Sequence, residues 1–301
     1  MAMGAANVIP GVSGGTIALI TGIFERLVNS LKSFNILALK LLFKGKLKEF
    51  AIHIDLYFLL AVFAGIIFSI LSIAKILDYL FLNYPVLVWA FFFGLIIASV
   101  FFVGRTVGKW RIPVVVYFII GAAIAVSVSL FKPAQENTSL YYLFICGIVA
   151  ICSMLLPGLS GAFVLILMGN YQLIMIEAVT RLDWGILLPV IAGGIAGLLA
   201  FSHLLSWIFR RFRDQTIGML SGFMAGSLAI LWPWKAEVYD MDAAGKLIMN
   251  RSGEPILQGY EYKLPDISDF EFWIALFCIF AGILTIAFIE WQGKKAKNNE
   301  G

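Results

Sequence analysis

Charged residues are scarce in this chain. Asp, Glu, Lys and Arg together make up 13% of its 301 residues, about half the share found in a soluble domain. This deficit excludes an ordinary soluble protein. Hydrophobic residues, at 61%, take the place of the missing charge, and they recur in runs of about 20 residues, the length that crosses a bilayer core. The sequence therefore predicts an all-α polytopic membrane protein that forms one integral membrane domain.

Cysteine is scarce as well, which bears on cofactors. Cys146, Cys152 and Cys278 lie in apolar stretches without a partner at metal-ligand spacing, so packing is their favoured role. No metal and no cofactor is expected. The net charge of +4 is typical of an inner-membrane protein with basic cytoplasmic loops, so nucleic acid is not an expected partner. No basic region precedes the first apolar stretch, so a cleaved signal peptide is not predicted.

Two blocks of sequence occur twice in the same order. In the first block, PGVSGGTIALITG (Pro10–Gly22) aligns with PGLSGAFVLILMG (Pro157–Gly169), and the shift between these copies is called the motif offset below. In the second block, LLAVFAG (Leu59–Gly65) aligns with LLPVIAG (Leu187–Gly193), and the shift between these copies is called the span offset. Such self-similarity predicts an internal duplication.

Basic residues predict how the two halves, residues 1–133 and 134–301, are oriented. They concentrate within Arg26–Lys48, Arg105–Arg111, Arg210–Arg213 and Lys294–Lys297. If all four groups face the cytoplasm, the C-terminus is cytoplasmic and each half holds a broken or re-entrant helical hairpin followed by three transmembrane helices. Because three is odd, the second half lies upside down relative to the first, which is an inverted-topology repeat.

This orientation of the basic groups defines the elements of each half. The predicted hairpins cover residues 2–28 and 140–176. The predicted spans are Asp55–Lys75, Pro85–Gly104 and Ile112–Phe131 in the first half, and Trp184–Phe209, Gln215–Trp234 and Phe270–Trp291 in the second. Residues 235–269 form an extracytoplasmic loop. Residues 31–52 are predicted to be an amphipathic helix on the cytoplasmic surface, with an ordinary connecting loop as the alternative.

Each Pro-Gly-x-Ser-Gly motif is predicted to break a membrane helix. Pro followed by Gly stops a helix, and broken backbone survives in a bilayer only where it is buried in protein or lines a polar cavity. Asn7–Thr16 and Leu156–Phe163 are therefore expected to be turns that meet near the midplane, with Ser13 and Ser160 as N-caps. Free N–H groups there favour an anion, phosphate above all. The alternative is a kinked span whose glycines only allow close helix packing.

Five ionisable residues near the membrane are candidates for gating or for carrying a coupling proton. They are Glu25, Arg26, Glu177, Arg181 and His203. The first two end the first hairpin, and Glu177 and Arg181 follow the second motif, so their placement matches across the halves. Ordinary interfacial charge is the alternative for these four, and a packing role is the alternative for the histidine.

The first motif carries a family resemblance. ANVIPGVSGGTIALITGIFERL (Ala6–Leu27) resembles the signature of the bacterial membrane family named domain of unknown function 368, and LPGLSGAF (Leu156–Phe163) fits as its repeat partner. The resemblance covers nearly the whole chain. It implies a flippase that returns undecaprenyl phosphate, or another polyprenyl phosphate, across the cytoplasmic membrane for reuse in cell-envelope synthesis. Carried over by position, the substrate-binding residues are Asn7, Pro10, Gly11, Ser13, Gly14, Gly15, Thr16, Pro157, Gly158, Ser160 and Gly161.

Two other functions stay open on the sequence. A lipid pyrophosphate phosphatase can also place Pro-Gly-x-Ser turns in inverted membrane hairpins, but Ser13 is followed by Gly14 and Gly15 rather than by arginine, and no paired carboxylates lie beside either motif. No catalytic residue is therefore expected. A transporter for another anion would share every feature named above. The sequence does not choose between a proton and a sodium ion as the coupling ion.

Overall fold

The computed structural model describes residues 3, 14–130, 134–239, 249 and 257–299. Helices in the first half are α1 Gly14–Ile20, α2 Phe24–Lys32, α3 Ile36–Phe43, α4 Leu47–His53, α5 Leu56–Asn83, α6 Pro85–Gly104 and α7 Ile112–Leu130. The second half holds α8 Leu140–Leu155, α9 Gly161–Leu167, a π-helical segment Gln172–Ala178, α10 Val179–Arg181, α11 Trp184–Arg211, α12 Arg213–Ser227 and α13 Phe270–Asn299. Strands β1 Lys235–Tyr239 and β2 Leu257–Tyr262 form an antiparallel hairpin between α12 and α13.

The core is built where helices of one half pack on helices of the other. The most extensive contacts join α12 to α7 and α13 to α6, and α8 packs on α11 within the second half. Ile96 of α6 and Met224 of α12 are fully buried in this interior. The outer faces of α5, α7 and α13 carry exposed large side chains such as Phe68, Ile119 and Phe277. A ring of exposed apolar side chains around a packed interior is what a lipid environment requires.

The length and composition of the helices fit a membrane protein. Three are long and apolar enough to cross a bilayer alone, namely Pro85–Gly104, Trp184–Arg211 and Phe270–Trp291. Two bent pairs raise the number to five if each pair is one span: Leu47–His53 with Leu56–Ser69, bent by 67°, and Gly161–Leu167 with Gln172–Arg181, bent by 112°. These counts, which cover the described part of the chain, are lower than the six spans and two hairpins predicted.

The predicted span Gln215–Trp234 accounts for part of this difference. Its helix, α12, begins at Arg213, ends at Ser227 and has 15 residues, which reach about 22 Å at the rise of an α-helix. That is short of a bilayer core of about 30 Å. After Ser227 the chain continues as hydrogen-bonded turns, with the Leu231 N–H donating to the Ser227 carbonyl at 3.1 Å. Other bounds shift as well, since α5 continues past Lys75 to Asn83.

The predicted amphipathic helix over residues 31–52 is wrong as a single element. The structure has α3 and α4 there, separated by Gly45, whose φ of +68° an α-helix cannot contain. The Asn35 side chain starts α3 afresh by accepting hydrogen bonds from the Leu37 and Ala38 N–H groups at 3.0 and 3.1 Å. Both short helices still expose apolar side chains among lysines, as Phe43, 87% exposed, illustrates.

The all-α prediction does not include strands β1 and β2. They lie in the predicted loop 235–269, where Lys235 pairs with Tyr262 and Val238 pairs with Gly259. A two-stranded ribbon gains most of its order from packing on the helices below it. The Trp232 indole donates to the Lys263 carbonyl at 3.0 Å beside this ribbon. The chain is therefore mostly helical with one small β-hairpin.

Helices α5 and α11 repeat each other at the span offset. Each has 28 residues. Tyr84 ends the first with φ and ψ of −139° and 51°, and Phe212 ends the second with −137° and 52°. The N–H of each donates to a carbonyl one helical turn earlier, Leu80 and Ile208, at 2.7 Å in both cases. Equal lengths and equal breaks at one offset are the local geometry that a duplicated unit produces.

Close glycine contacts repeat in the same way between the halves. A Cβ on Gly94 of α6 would lie 2.0 Å from the Ile279 carbonyl oxygen of α13, and a Cβ on Gly222 of α12 would lie 2.1 Å from the Phe118 carbonyl oxygen of α7. The two glycines are related by the span offset. Their partners are related by a longer shift, because the segment that contains β1 and β2 precedes α13.

The contacts that glycines of α7 and α13 make with the backbone of α12 and α6 are related by the same two shifts. A Cβ on Gly121 of α7 would lie 2.3 Å from the Met219 carbonyl oxygen, and a Cβ on Gly282 of α13 would lie 2.2 Å from that of Phe91. Phe91 and Met219 are related by the span offset, and the two glycines by the longer shift. The α6–α13 and α7–α12 interfaces thus share one pattern of close glycine contacts.

The two equivalent helices α6 and α12 run in opposite directions. Just beyond the end of α6, the Gly108 N–H donates to the side chain of Asp214, near the start of α12, at 3.1 Å. At the opposite end, the ammonium of Lys235, which follows α12, lies 3.7 Å from the ring centroid of Trp89, near the start of α6. The end of one helix therefore lies beside the start of the other at both faces of the molecule.

Replacing Gly222 by alanine should test this packing. The added methyl would collide with the Phe118 carbonyl, and backbone on a neighbouring helix cannot move aside cheaply. We expect the free energy of unfolding to fall by about 2–3 kcal/mol, measured by thermal or chemical unfolding in detergent. Gly194→Ala is the matched control, because its Cβ would be 3.8 Å from the nearest atom, the Gly147 oxygen. Equal stability of the two variants would contradict the close approach.

Candidate functional site

The second motif forms a sharp turn between two helices. Helix α8 ends at Leu155 and α9 begins at Gly161. Ser160 caps α9, its side-chain oxygen accepting from the Phe163 N–H at 3.4 Å. Gly158 has a φ of +84°, and Pro157 is fully buried beside it. The helix break predicted from the Pro-Gly pair is therefore present in this half.

The turn packs against the C-terminal half of α12. A Cβ on Gly158 would lie 2.7 Å from the carbonyl atoms of Phe223 and 2.8 Å from the Cα of Met224. No side chain fits in this gap, and the left-handed φ also favours glycine. Gly161 is equally confined, because its Cβ would lie 2.6 Å from the Ala150 oxygen of α8. The glycines let three backbone segments meet.

Helix α1, which begins within the first motif, contacts the turn of the second motif. Its residues Gly14, Gly15 and Thr16 are buried, and Thr16 is 0% exposed. The Gly158 N–H donates a hydrogen bond of 3.1 Å to Thr16 Oγ1. Thr16 and Gly158 belong to opposite halves of the chain, so this bond joins the two motifs. The predicted site residues Asn7, Pro10, Gly11 and Ser13 lie outside the described residues.

The helices that leave the motifs end alike. In α1 the Gly22 N–H donates to the Leu19 carbonyl at 3.1 Å, and in α9 the Gly169 N–H donates to the Ile166 carbonyl at 2.9 Å. Both glycines have positive φ, +73° and +72°. This is the glycine-terminated C-cap of a helix, repeated at the motif offset. The motif junction, defined as Thr16, Gly158 and the adjoining Phe223 and Met224 backbone, thus receives one short helix from each half.

Polar groups with unused hydrogen-bonding capacity lie at or near the junction. Thr16 Oγ1 accepts from Gly158, and its own hydrogen reaches no acceptor among the residues that the structure describes. Ser221, one helical turn before Met224 on α12, is 0% exposed, and its Oγ has no hydrogen-bond partner in the described structure. A buried hydroxyl without a partner costs free energy, so it calls for an explanation. Sequence reasoning missed Ser221, although a serine between glycines in an apolar span was a usable signal.

The charged candidates divide into two groups. Glu25 accepts a hydrogen bond of 3.2 Å from Arg213 Nε, and Arg26 donates one of 2.6 Å to Asp55 while its guanidinium lies 4.3 Å from the Phe58 ring centroid. These pairs lie at the end of the molecule that carries Arg210–Arg213. They are partly exposed, so as surface ion pairs each contributes little to stability. They link elements rather than approach the motif junction.

The remaining candidates lie on the second half. Glu177 is half-buried in the π-helical segment and Arg181 is exposed at the end of α10. His203 is exposed on α11, with Nδ1 2.8 Å from the Leu199 carbonyl of its own helix. Among the described hydrogen bonds, none joins these three residues to Thr16 or Gly158. Nor does the described part of the chain place three or more His, Cys, Asp or Glu side chains to hold a metal ion.

Comparison with known proteins gives consistent results. A family model described as VCA0040-like, undecaprenyl phosphate translocase-like, matches residues 3–248. A polyprenyl-phosphate transporter of Vibrio cholerae serotype O1 is 37% identical over 301 residues, which cover 98% of this chain and 95% of that protein. A polyprenyl-phosphate transporter of Staphylococcus aureus is 29% identical over 260 residues, 77% of this chain and 83% of that one. No solved structure matches the chain.

Proposed function

This chain belongs to the undecaprenyl phosphate translocase-like family, and from that premise we propose that it moves a polyprenyl phosphate such as undecaprenyl phosphate between the leaflets of the bacterial cytoplasmic membrane. The returned lipid would serve again as a carrier in cell-envelope synthesis. Both relatives are named as transporters of polyprenyl phosphate. The exposed apolar faces of the helices suit an isoprenoid tail that stays in lipid during transport.

The observation that carries the proposal is the bond between the Gly158 N–H and Thr16 Oγ1. It brings both motifs to one buried point. The helix break and the glycines leave few side chains around that point. The hydrogen-bond donors there are backbone N–H groups and hydroxyls, which are groups that bind phosphate oxygens. Among the described residues the Thr16 hydroxyl donates to no acceptor and the buried Ser221 hydroxyl, one helical turn before Met224, has no partner.

We assign the phosphate head group to this motif junction. The proposed binding residues are those of the two motifs: Asn7, Pro10, Gly11, Ser13, Gly14, Gly15, Thr16, Pro157, Gly158, Ser160 and Gly161. In this arrangement the two short helices face the head group with their N-terminal ends from opposite halves.

We also propose that the halves form an inverted repeat. Support comes from the antiparallel course of α6 and α12 and from the two copied glycine interfaces. Two inverted units around one central site can expose that site first to one side and then to the other with little change inside each unit. The end carrying Arg26, Arg105–Arg111 and Arg210–Arg213 would be cytoplasmic.

A phosphatase function has less support. Hydrolysis needs a nucleophile or activated water with a positioned acid and base. Among the described contacts at the motif junction, Thr16 is bonded to a backbone N–H and to no carboxylate or histidine. The relatives are named as transporters and not as enzymes. A transporter of a different anion remains the second candidate, since the same donors would bind it.

Purified protein in liposomes tests the proposal. Labelled undecaprenyl phosphate is placed in one leaflet, and its appearance in the other is followed by accessibility to a membrane-impermeant reagent. We expect leaflet exchange well above that of empty liposomes, with no release of inorganic phosphate. Undecaprenyl pyrophosphate serves as the second substrate. Phosphate release from either lipid would favour the enzyme, and exchange no faster than in empty liposomes would refute the proposal.

A further inference from the structure

A second polar site lies away from the motif junction, between α2 and the end of α11. There a cavity of about 230 Å³ is lined by Glu25, Val28, Asn29, Ser206, Phe209, Arg210 and Arg213. It is smaller than the pockets of about 300–1,000 Å³ that enclose whole organic ligands. The size suits a charged head group whose tail lies outside the protein.

The walls of this cavity supply donors for an anion. Ser206 Oγ donates to Asn29 Oδ1 at 2.9 Å and accepts from Lys32 Nζ at 3.4 Å. Among the described residues the amide NH₂ of Asn29 donates to no acceptor. Arg213 is paired with Glu25. Arg210 has no ion pair and no hydrogen bond among the described residues. Two guanidinium groups and one carboxylate line the cavity, so its charge is positive, and the planar guanidinium group binds phosphate with two hydrogen bonds.

The surroundings favour a lipid as the source of the anion. Trp207 and Phe212 are neighbours in sequence of the lining residues Ser206 and Arg213, their ring centroids are 6.3 Å apart, and they are 55% and 44% exposed. Exposed aromatic residues at a helix end mark the level of the lipid head groups. Leu204, 48% exposed on the preceding turn of α11, continues this apolar face. A lipid phosphate could enter from the side while its tail rests on α11.

The charged residues of this cavity are not repeated at the positions that the two offsets relate to them. At the span offset, Arg210 corresponds to Leu82 and Arg213 to Pro85. At the motif offset, Glu25 corresponds to Gln172. A symmetric repeat gives transport no preferred side, so charged residues that are not repeated make the two faces chemically different.

We propose that this cavity is a docking site for the phosphate monoester of a lipid, at which Arg210 and Arg213 hold the head group on the basic face of the protein. The inference rests on the proposed function, since it gives the same lipid a second binding place. Glu25 competes with the phosphate for Arg213. Because Glu25 belongs to the first half and Arg213 to the second, an arriving phosphate releases an ion pair that joins the halves.

Binding measurements on charge variants test this site. Farnesyl phosphate is titrated into the full-length protein in nanodiscs by calorimetry, with inorganic phosphate as a second probe. Arg210→Gln should weaken farnesyl phosphate binding by about tenfold, the loss expected for a charge-assisted hydrogen bond. Arg211→Gln removes the same charge one residue away, outside the cavity lining, and should change the Kd by less than about twofold. Glu25→Gln should tighten binding by about threefold, because it removes the competitor for Arg213.

The opposite signs of Arg210→Gln and Glu25→Gln separate a binding effect from misfolding, which would weaken both. Equal effects of Arg210→Gln and Arg211→Gln would overturn the site. Binding of inorganic phosphate as tight as that of farnesyl phosphate would overturn the lipid assignment. If the wild-type protein exchanges undecaprenyl phosphate but Arg210→Gln binds farnesyl phosphate as tightly as wild type, the docking site alone is refuted. Wild-type protein that does not exchange the lipid would refute the proposed function instead.

Discussion

Alanine in place of Gly158 is expected to abolish lipid transport and to lower the free energy of unfolding by about 3 kcal/mol. Two costs add. The φ of +84° disfavours any residue with a Cβ, and the methyl group would lie 2.7 Å from the backbone of Phe223. Relief requires the turn to move away from α12, which also separates it from Thr16. Leaflet exchange in liposomes and unfolding in detergent measure the two effects.

Gly22→Ala is the matched control for this variant. Gly22 has a similar φ of +73°, but a Cβ there would meet nothing within 4 Å. Its stability should fall by only about 1 kcal/mol, the cost of a left-handed backbone on its own, and transport should continue. If both glycine variants behaved alike, the contact between the second motif and α12 would have no functional importance.

Valine in place of Thr16 is expected to reduce leaflet exchange at least tenfold. The two side chains have nearly the same shape, so the change removes the hydroxyl and little else. The Gly158 N–H then loses its acceptor in a buried place, at a cost of about 1–3 kcal/mol, and the proposed phosphate site loses a donor. Thr16→Ser keeps the hydroxyl and should restore most of the exchange rate.

Thr21→Val provides the comparison outside the motif junction. Thr21 Oγ1 bonds the Ile17 carbonyl of its own helix at 2.7 Å, and its side chain is exposed, so its loss should leave exchange within about twofold of wild type. Normal exchange by Thr16→Val, with unfolding unchanged, would show that the two motifs touch without acting together.

Much of the local structure could be predicted because it depends on residue type at short range. Helix α8 ends just before Pro157 and Gly158, as the pair predicts, and Ser160 caps the next helix. The family-level expectation drawn from Ala6–Leu27 is confirmed by the family model and by the relative from Vibrio cholerae. The roles assigned to Glu177, Arg181 and His203 stay predictions, since the described contacts do not join them to the motif junction.

Other features needed information that no single stretch of the chain contains. The break at Gly45 depends on a backbone angle that hydrophobic periodicity does not report. The shortness of α12 follows from its burial among neighbouring helices, because an interior helix need not match the bilayer thickness. The cavity beside Arg210 exists only because α2 and α11, from different halves, pack together.

Residue order alone was enough to establish a membrane protein with two related motifs that break helices, because apolar run length and the Pro-Gly pair act within a few residues. The folded molecule was needed to learn that Thr16 and Gly158 touch, that Ser221 is buried near them without a partner among the described residues, and that Glu25 pairs with Arg213. The two pairs join opposite halves of the chain. Their geometry depends on how glycine-lined helices from both halves approach each other, which local residue preferences do not specify.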